Sequence, residues 1–166
     1  MKFKGEYIAD CKDKYGNWKW SEKIHNIVTT TGIQHIMRAG LASNATTINV
    51  WYVGIIGASA AAATNADAIG SHAGWTESTL YSETTRPVWA KSVSGVNVGN
   101  TGAKATFTLN TDGTTIGGAF LCSSKTGGGT SGILMSAAAF AAAKTGDSGD
   151  KLEVSYKIVG SDDISS

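Results

Sequence analysis

The chain has 166 residues, of which 42% are hydrophobic and 16% are charged. A chain of this length is expected to form one domain, and it can bury roughly two thirds of the surface that its unfolded form exposes. Its formal net charge of +1 argues against a nucleic-acid-binding protein, because such a protein is expected to be strongly basic overall. Gly, Ala, Ser and Thr take the place of charged residues, and such small side chains suit strands and tight turns.

The first 26 residues are predicted to form a hairpin arm. Apolar or small residues alternate with charged ones in KFKGEYIADC, which is the period of a strand with one solvated face. Gly16 and Asn17 supply a turn, after which WKWSEKI returns as a second strand. The arm also holds most of the concentrated basic residues: Lys2, Lys4, Lys12, Lys14, Lys19 and Lys23.

A short helix is expected next, near residues 30–41. Apolar or small residues recur there at spacings of three and four, at Ile33, Ile36, Met37, Gly40 and Leu41. The hydroxyls of residues 29–31 are suitable N-caps. The pattern predicts a helix of about ten residues whose Ile/Met face packs on a sheet.

An uncharged, β-branched and aromatic stretch, TINVWYVGIIGAS at residues 47–59, predicts a central strand that is covered on both faces. The following AAAATNADAIGSHAG, residues 60–74, is too long for a hairpin turn and is expected to run over the surface.

Five short strand-like runs fill the second half of the chain, within VWAKSVSGVNVG, KATFTLN, TIGGAFLCSS, GILMSAAAF and KLEVSYKIVG. Glycine-containing turn signals separate them. Their spacing predicts a mainly β fold, an antiparallel β-sandwich or jelly roll with an N-terminal hairpin and one short helix. We divide the chain into the arm (1–26), the sandwich with its helix (27–160) and a flexible tail (161–166).

Compartment is indicated by what the sequence lacks. Cys11 and Cys122 are too few and too far apart for a disulfide framework, so we expect two buried or half-buried thiols. The first residues contain no apolar run of the kind found in signal peptides, and no stretch reaches about 18 apolar residues. We therefore expect a protein that is made in a cytoplasm and does not associate with membranes.

The densest cluster of bulky and charged residues is SHAGWTESTLYSETTRPVWA, residues 71–90. Its aromatic side chains, with Leu80, can fill a core that is otherwise built from small residues. Burial of each of these side chains would contribute about 2 kcal/mol to the stability of the fold. An ion pair between Arg86 and either Glu77 or Glu83 would fix this long crossover. We interpret the segment as a structural buckle whose members are Trp75, Glu77, Tyr81, Glu83, Arg86 and Trp89.

Catalysis is the competing interpretation of this segment. Asp67, His72 and Glu77 could converge in space, with Arg86 orienting a carboxylate. However, the chain contains no nucleophile elbow, phosphate-binding loop or metal-ligand pair at the required spacing. We therefore predict no enzyme activity, no cofactor and no metal site.

Several of these stretches together resemble a family of small tailed-bacteriophage virion proteins. They are HNIVTTTGIQHIM, WYVGIIG, SHAGWTESTLYSETTRPVW and TIGGAFL, and the resemblance covers residues 3–159. Members of that family are commonly capsid decoration (cement) proteins or fibre-like structural proteins, without known catalytic residues. The resemblance implies a virion protein that is made in the host bacterial cytoplasm and binds the capsid exterior through the major capsid protein.

Two functions therefore remain open. The first is a decoration protein, expected to be a homotrimer, whose contact residues are Lys2, Lys4, Tyr7, Lys12, Lys14, Tyr15 and Trp18. The second is a head- or tail-fibre module that binds a host receptor or glycan. A fibre module of that kind needs Trp51, Trp75 or Tyr81 exposed to solvent, whereas a decoration protein buries them.

Overall fold

The computed structural model describes residues 2–42, 44–57 and 61–161, without the side chain of Lys2. Helix α1 spans Thr30–Met37 and is followed by a π-helical turn at Arg38–Ala42. The strands are β1 (Lys2–Lys12), β2 (Trp18–His25), β3 (Ile27–Val28), β4 (Tyr52–Ile56), β5 (Glu77–Ser78), β6 (Ser92–Ser94), β7 (Asn97–Gly99), β8 (Ala105–Thr108), β9 (Thr114–Cys122), β10 (Leu134–Gly146) and β11 (Lys151–Ser161).

The strands form two antiparallel sheets. Sheet A has the order β2-β1-β11-β7-β6, with β8 also paired to β11, and sheet B has the order β3-β10-β9-β4-β5. The two sheets share one apolar core, so the mainly β fold, the antiparallel sandwich and the single short helix are confirmed. In the described part of the chain, no helix is both long enough and apolar enough to cross a membrane.

The N-terminal hairpin forms as the alternation predicts. Strands β1 and β2 are antiparallel, and Gly16 in the turn has a φ of 91°, which favours glycine. Strand β1 also pairs with β11 along its whole length, from Lys2↔Ser161 to Lys12↔Lys151. The predicted arm is thus bonded into sheet A through residues 2–12 and 18–25. The predicted tail, 161–166, lies outside the described residues except for Ser161.

The main core lies between the sheets. Tyr7 of β1 stacks on Tyr156 of β11 with ring centroids 4.2 Å apart, and from sheet B the core receives Val53, Ile55 and Leu121. Aromatic pairs in this geometry add to the stabilisation that burial provides. The inward residues of β1 are the apolar half of the alternation in KFKGEYIADC.

A second core covers the outer face of sheet B. Successive residues of β9 point to opposite sides, so Leu121 enters the main core whereas Phe120 and Cys122 enter the second. Residues 61–75 lie over this face and contribute Ile69 and Trp75. The expectation that residues 60–74 run over the surface is therefore wrong for Ile69. Sheet B is apolar on both faces, and this connection excludes water from the outer one.

Helix α1 begins as the sequence predicts, because the hydroxyl of Thr29 accepts a hydrogen bond from the Gly32 amide. Its packing differs from the prediction. Gly32 and Ile36 face the protein, and a Cβ at Gly32 would overlap the backbone of Met135. This close approach turns a different face of the helix to solvent, so three residues of the predicted packing face are exposed: Ile33, Met37 and Leu41.

The five strand-like runs predicted in the second half of the chain all contain strands. The first of them folds into two, β6 and β7, joined by a turn in which Gly95 has a φ of 59°. Gly113, Gly128 and Gly149 in three of the predicted turns also have positive φ. Cys11 and Cys122 are both buried and form no disulfide bond, as expected, and they lie in different cores.

Candidate functional site

Residues 75–89, which we call the buckle, are organised around Arg86. The Arg86 side chain is fully buried, and its guanidinium pairs with Glu77 through two hydrogen bonds. The Nε–Oε1 distance is 2.7 Å and the Nη2–Oε2 distance is 2.6 Å. A planar guanidinium matches a carboxylate in this two-point geometry, which a lysine cannot reproduce. Of the two partners that the sequence allowed for Arg86, the structure selects Glu77.

The Arg86–Glu77 pair also fixes the glycine-rich loop that connects β9 to β10. Arg86 Nη1 donates to the Ser124 carbonyl at 2.8 Å, and the Gly128 amide donates to Glu77 Oε2 at 2.8 Å. Burial opposes the charge on Arg86, but the hydrogen bonds to Glu77 outweigh this effect and raise the pKa of Arg86 above its ordinary value. The buried pair is thus held by several hydrogen bonds, which is the condition for a stable buried ion pair.

The two tryptophans of the buckle are buried, as predicted. Trp75 is 3% exposed and donates its indole N–H to Asp67 Oδ2 at 2.8 Å. Trp89 packs against Tyr156 of sheet A and donates its indole N–H to the Tyr156 carbonyl at 3.1 Å. Each ring therefore has its polar atom satisfied while the apolar surface is removed from water.

The remaining buckle residues divide between buried and exposed positions. Tyr81 is buried edge-on against Phe107, and burial raises its pKa to about 12. Glu83 accepts hydrogen bonds from the Thr108 amide rather than from Arg86. Leu80 was expected among the core fillers, but it is exposed, because Tyr81 takes the inward position where it bridges to Leu109.

The residues proposed as a possible catalytic triplet are engaged in packing. The Asp67 carboxylate accepts hydrogen bonds from Thr64 and Trp75; although burial raises its pKa, these bonds lower it below 3.8 overall. His72 stacks on Trp75 at 3.8 Å between ring centroids, and Glu77 is paired with Arg86. The part of the chain that the structure describes contains no group of three or more residues able to hold a metal ion.

The tip of the N-terminal hairpin, residues 12–18, presents aromatic side chains to solvent. Tyr15 is 79% exposed and Trp18 is 63% exposed. Lys12 Nζ lies 4.9 Å from the centre of the Trp18 ring, and Lys14 Nζ lies 5.2 Å from that of Tyr15. These contacts hold each aromatic ring beside a positive charge. Lys4 is also exposed, whereas the side chain of Lys2 is outside the described structure.

Tyr7 cannot be a contact residue, so this prediction is wrong. Its side chain is 0% exposed, and its hydroxyl hydrogen-bonds the Ser136 hydroxyl at 2.7 Å. Burial raises its pKa well above 10.0. The alternation of β1 places Tyr7 on the inward face with Gly5 and Ala9. The same alternation is visible in the sequence and could have excluded Tyr7 from the predicted contact residues.

The basic character of the hairpin is partly neutralised within the fold. Lys19 pairs with Asp147 and Asp150, and Lys23 pairs with Glu6. Sequence reasoning about the hairpin missed a second group of lysines. Lys151 and Lys157 join the hairpin only through the pairing of β1 with β11, and Lys104 joins it through an ion pair with Asp10 of β1. The alternation of Lys151 and Lys157 with apolar residues in KLEVSYKIVG is visible in the sequence, but the neighbouring strand is not.

Comparison of the chain with models of protein families, with curated proteins and with solved structures finds no match.

Proposed function

We propose that the protein is a non-enzymatic structural protein of a tailed-phage virion, a decoration (cement) protein that binds the outside of the assembled capsid and stabilises it. In this proposal its partner is the major capsid protein, and the chain is made in the host bacterial cytoplasm before it binds. Neither nucleic acid, membrane, metal nor cofactor has a part in it.

The exposed aromatic pair at the hairpin tip is the observation that carries the proposal. Tyr15 and Trp18 expose most of their side chains, while the buckle and the space between the sheets enclose the other large aromatic clusters. Tyrosine and tryptophan are enriched at the centres of protein interfaces, where burial of their rings supplies much of the binding energy. A rigid two-sheet body with such rings at its tip suits attachment to a large, fixed surface.

The buckle supports a mechanical role. Arg86 and Glu77 connect the long crossover to the loop after β9 through buried, charge-assisted hydrogen bonds, so the outer layer of sheet B is fixed at several points. A protein that reinforces a shell must itself resist deformation, and well-packed cores of this kind have low compressibility.

The alternative, a fibre module binding a receptor or glycan, receives less support. In the form stated above it needs Trp51, Trp75 or Tyr81 exposed for stacking on sugars, and each of these rings is at most 6% exposed. The proposal therefore keeps the decoration function and leaves sugar binding as the result that would replace it.

A homotrimer is part of the proposal, since closed cyclic symmetry matches the three-fold positions of an icosahedral shell. The exposed apolar row Ile33, Met37 and Leu41 is a surface that self-association could cover. Multi-angle light scattering at micromolar concentration is expected to give three times the chain mass of 17.1 kDa. A monomer at that concentration would rule out a stable free trimer.

Location and binding are tested on purified particles. Quantitative mass spectrometry of virions should give a copy number comparable with that of the major capsid protein, whereas a few copies per particle would indicate a fibre. Binding to capsids assembled without this protein should weaken on Trp18→Ala. A matched control is Val93→Ala, since Val93 is a similarly exposed apolar residue on the β6–β7 hairpin. Equal binding of both variants would contradict the tip contact.

A further inference from the structure

The strand register places a set of lysines on one side of sheet A. Residues that pair across antiparallel strands point to the same face. The pairs Tyr7↔Tyr156 and Cys11↔Leu152 point into the core. Pairs that alternate with these along the two strands therefore point outward, and they include Lys4↔Val159, Glu6↔Lys157 and Lys12↔Lys151. We call this surface the lysine face.

The lysine face carries more positive than negative charge among the described residues. Its lysines are Lys4, Lys12, Lys23, Lys104, Lys151 and Lys157, and its acids are Glu6, Asp10 and Glu153. Each acid is already paired with one lysine, in Lys23–Glu6, Lys104–Asp10 and Lys12–Glu153. Among the described residues, no ion pair includes Lys4, Lys151 or Lys157, and all three are exposed. Because the whole chain has a net charge of only +1, this positive charge is local.

One end of the same face holds an aromatic ring. Trp18 pairs with Lys12 across β1 and β2, so it too points outward, and Lys12 Nζ lies 4.9 Å above its ring. Lys151 follows in the next strand, opposite Lys12. A row across three strands thus consists of an exposed tryptophan and two lysines, the residue types that anchor and orient a protein partner.

We propose that the lysine face, with Trp18 at its end, is the surface on which the chain docks, and that its partner is an acidic protein surface. Taken with the function proposed above, on which this identification of the partner rests, that surface belongs to the capsid shell. The face extends the contact from the tip of the hairpin to the whole breadth of β2, β1 and β11.

Charge decides between the possible occupants. A second copy presenting the same face would bring Lys4, Lys151 and Lys157 against like charges, which is unfavourable. A nucleic acid would place phosphates beside Glu6 and Glu153, and the face has no arginine to bind phosphate in a two-point geometry. An acidic protein surface, whose carboxylates are not regularly spaced as phosphates are, can place them opposite Lys4, Lys151 and Lys157 and away from Glu6 and Glu153. Its attraction should be salt-sensitive, since exposed charges interact over a screening length of about 10 Å at 0.1 M salt and about 3 Å at 1 M.

The test measures binding of the full chain to purified capsids assembled without it, by co-sedimentation at low and high salt. The variants are Lys151→Glu and Lys157→Glu, and the matched control is Lys125→Glu, which makes the same charge change on an exposed lysine of the glycine-rich loop outside this face. We expect each face variant to weaken binding by about tenfold at low salt and by less at high salt, and the control to bind like the wild type. In addition, Lys4, Lys151 and Lys157 should be protected from amine acetylation in the bound state, while Lys125 stays reactive.

The outcomes separate the two levels of the proposal. If the wild type does not bind capsids, the proposed function is wrong and the face loses this partner with it. If the wild type binds but the face variants bind equally well and their lysines stay reactive, only the assignment of the face is wrong. Binding of a 30-base-pair duplex that the same variants abolish, without capsid binding, would replace the acidic protein by nucleic acid. Unchanged circular dichroism spectra confirm that each variant is folded.

Discussion

The outer faces of the two sheets differ in what covers them. The outer face of sheet B lies beneath residues 61–75, and its apolar residues form a closed second core with Trp75. The outer face of sheet A is exposed and charged. Strand pairing is similar in both sheets, so the difference comes from side-chain pattern. A strand that is apolar on both sides, such as β9, needs a cover, whereas β1, which alternates, leaves one face in water.

The outer face of sheet B, which we call the closed side, is packed through a close approach between an aromatic ring and the backbone of a neighbouring strand. Phe120 of β9 pairs with Gly54 of β4, and a Cβ at Gly54 would overlap the Phe120 ring. Trp75 contacts the ring at 5.1 Å between centroids, and the Arg86 guanidinium lies 5.3 Å from its centre. Glycine in the strand thus leaves space for an aromatic layer, which in turn supports the buried ion pair. This layer stabilises the fold, whereas the outer face of sheet A, which we call the open face, is available for binding.

Among substitutions in the core beneath residues 61–75, Trp75→Ala is expected to have the largest effect on stability. The substitution removes a buried ring and its hydrogen bond to Asp67, and it should lower the free energy of unfolding by about 3–5 kcal/mol. Chemical denaturation with matched m-values measures it. Trp18→Ala on the open face is the control and should change stability by no more than about 0.5 kcal/mol. Equal effects of the two substitutions would contradict the division between a structural and a binding face.

A smaller loss is expected for Glu77→Gln. The amide keeps the shape of the carboxylate but leaves the buried Arg86 charge without its counter-charge, so the free energy of unfolding should fall by about 1.5–3 kcal/mol. Glu83→Gln is the matched comparison, since Glu83 accepts only a backbone amide, and it should cost less. A cost for Glu83→Gln that equals or exceeds that for Glu77→Gln would refute the central role of the Arg86 pair.

The sequence predicts a large part of this arrangement because local patterns carry it. The alternation in KFKGEYIADC predicts the hairpin, and the low charge of residues 47–57 predicts the covered strand β4. The burial of Trp75 and Trp89 follows from the small residues around their segment, since a core built from such residues needs bulky side chains to fill it. The position of the lysine face could not be predicted, because Lys151 meets Lys12 only through pairing over a long sequence separation. The exposed row on α1 was also missed, since it depends on how closely Gly32 approaches Met135.

The buried tyrosines are expected to change stability at alkaline pH. Burial raises the pKa of both Tyr81 and Tyr156 from 10.0 to about 12. A group whose pKa is higher in the folded state stabilises it fully below pH 10, and this contribution is lost as the pH rises from about 10 through 12. Tyr81→Phe should therefore flatten the decline in the free energy of unfolding across this range.

At neutral pH the two tyrosines should differ. The Tyr81 hydroxyl is buried and makes no hydrogen bond within the described residues, whereas the Tyr156 hydroxyl accepts one from Asn26 at 2.9 Å. Tyr81→Phe should leave stability unchanged or slightly raised, and Tyr156→Phe should cost about 1 kcal/mol. Thermal unfolding at pH 7 measures both. The reverse order would indicate that the Tyr81 hydroxyl has a partner of its own.

A small effect is expected on the outer face of sheet A, at the ion pair between Asp10 and Lys104. Burial opposes ionisation of Asp10, but hydrogen bonds from Lys104 and Ser21 outweigh it and lower its pKa below 3.8. A lowered folded-state pKa means that the carboxylate stabilises the fold above pH 3.8 and that this contribution is lost as the pH falls below it. Because the Lys104 side chain is 31% exposed, water can hydrate its charge when the carboxylate is removed. Asp10→Asn should therefore lower the free energy of unfolding by no more than about 1 kcal/mol at pH 7. The difference between wild type and variant should disappear when the free energy of unfolding is measured at a pH well below 3.8. A cost at neutral pH as large as that of Glu77→Gln would mean that the charges of the open face hold the fold together, and the contrast between the two faces would fail.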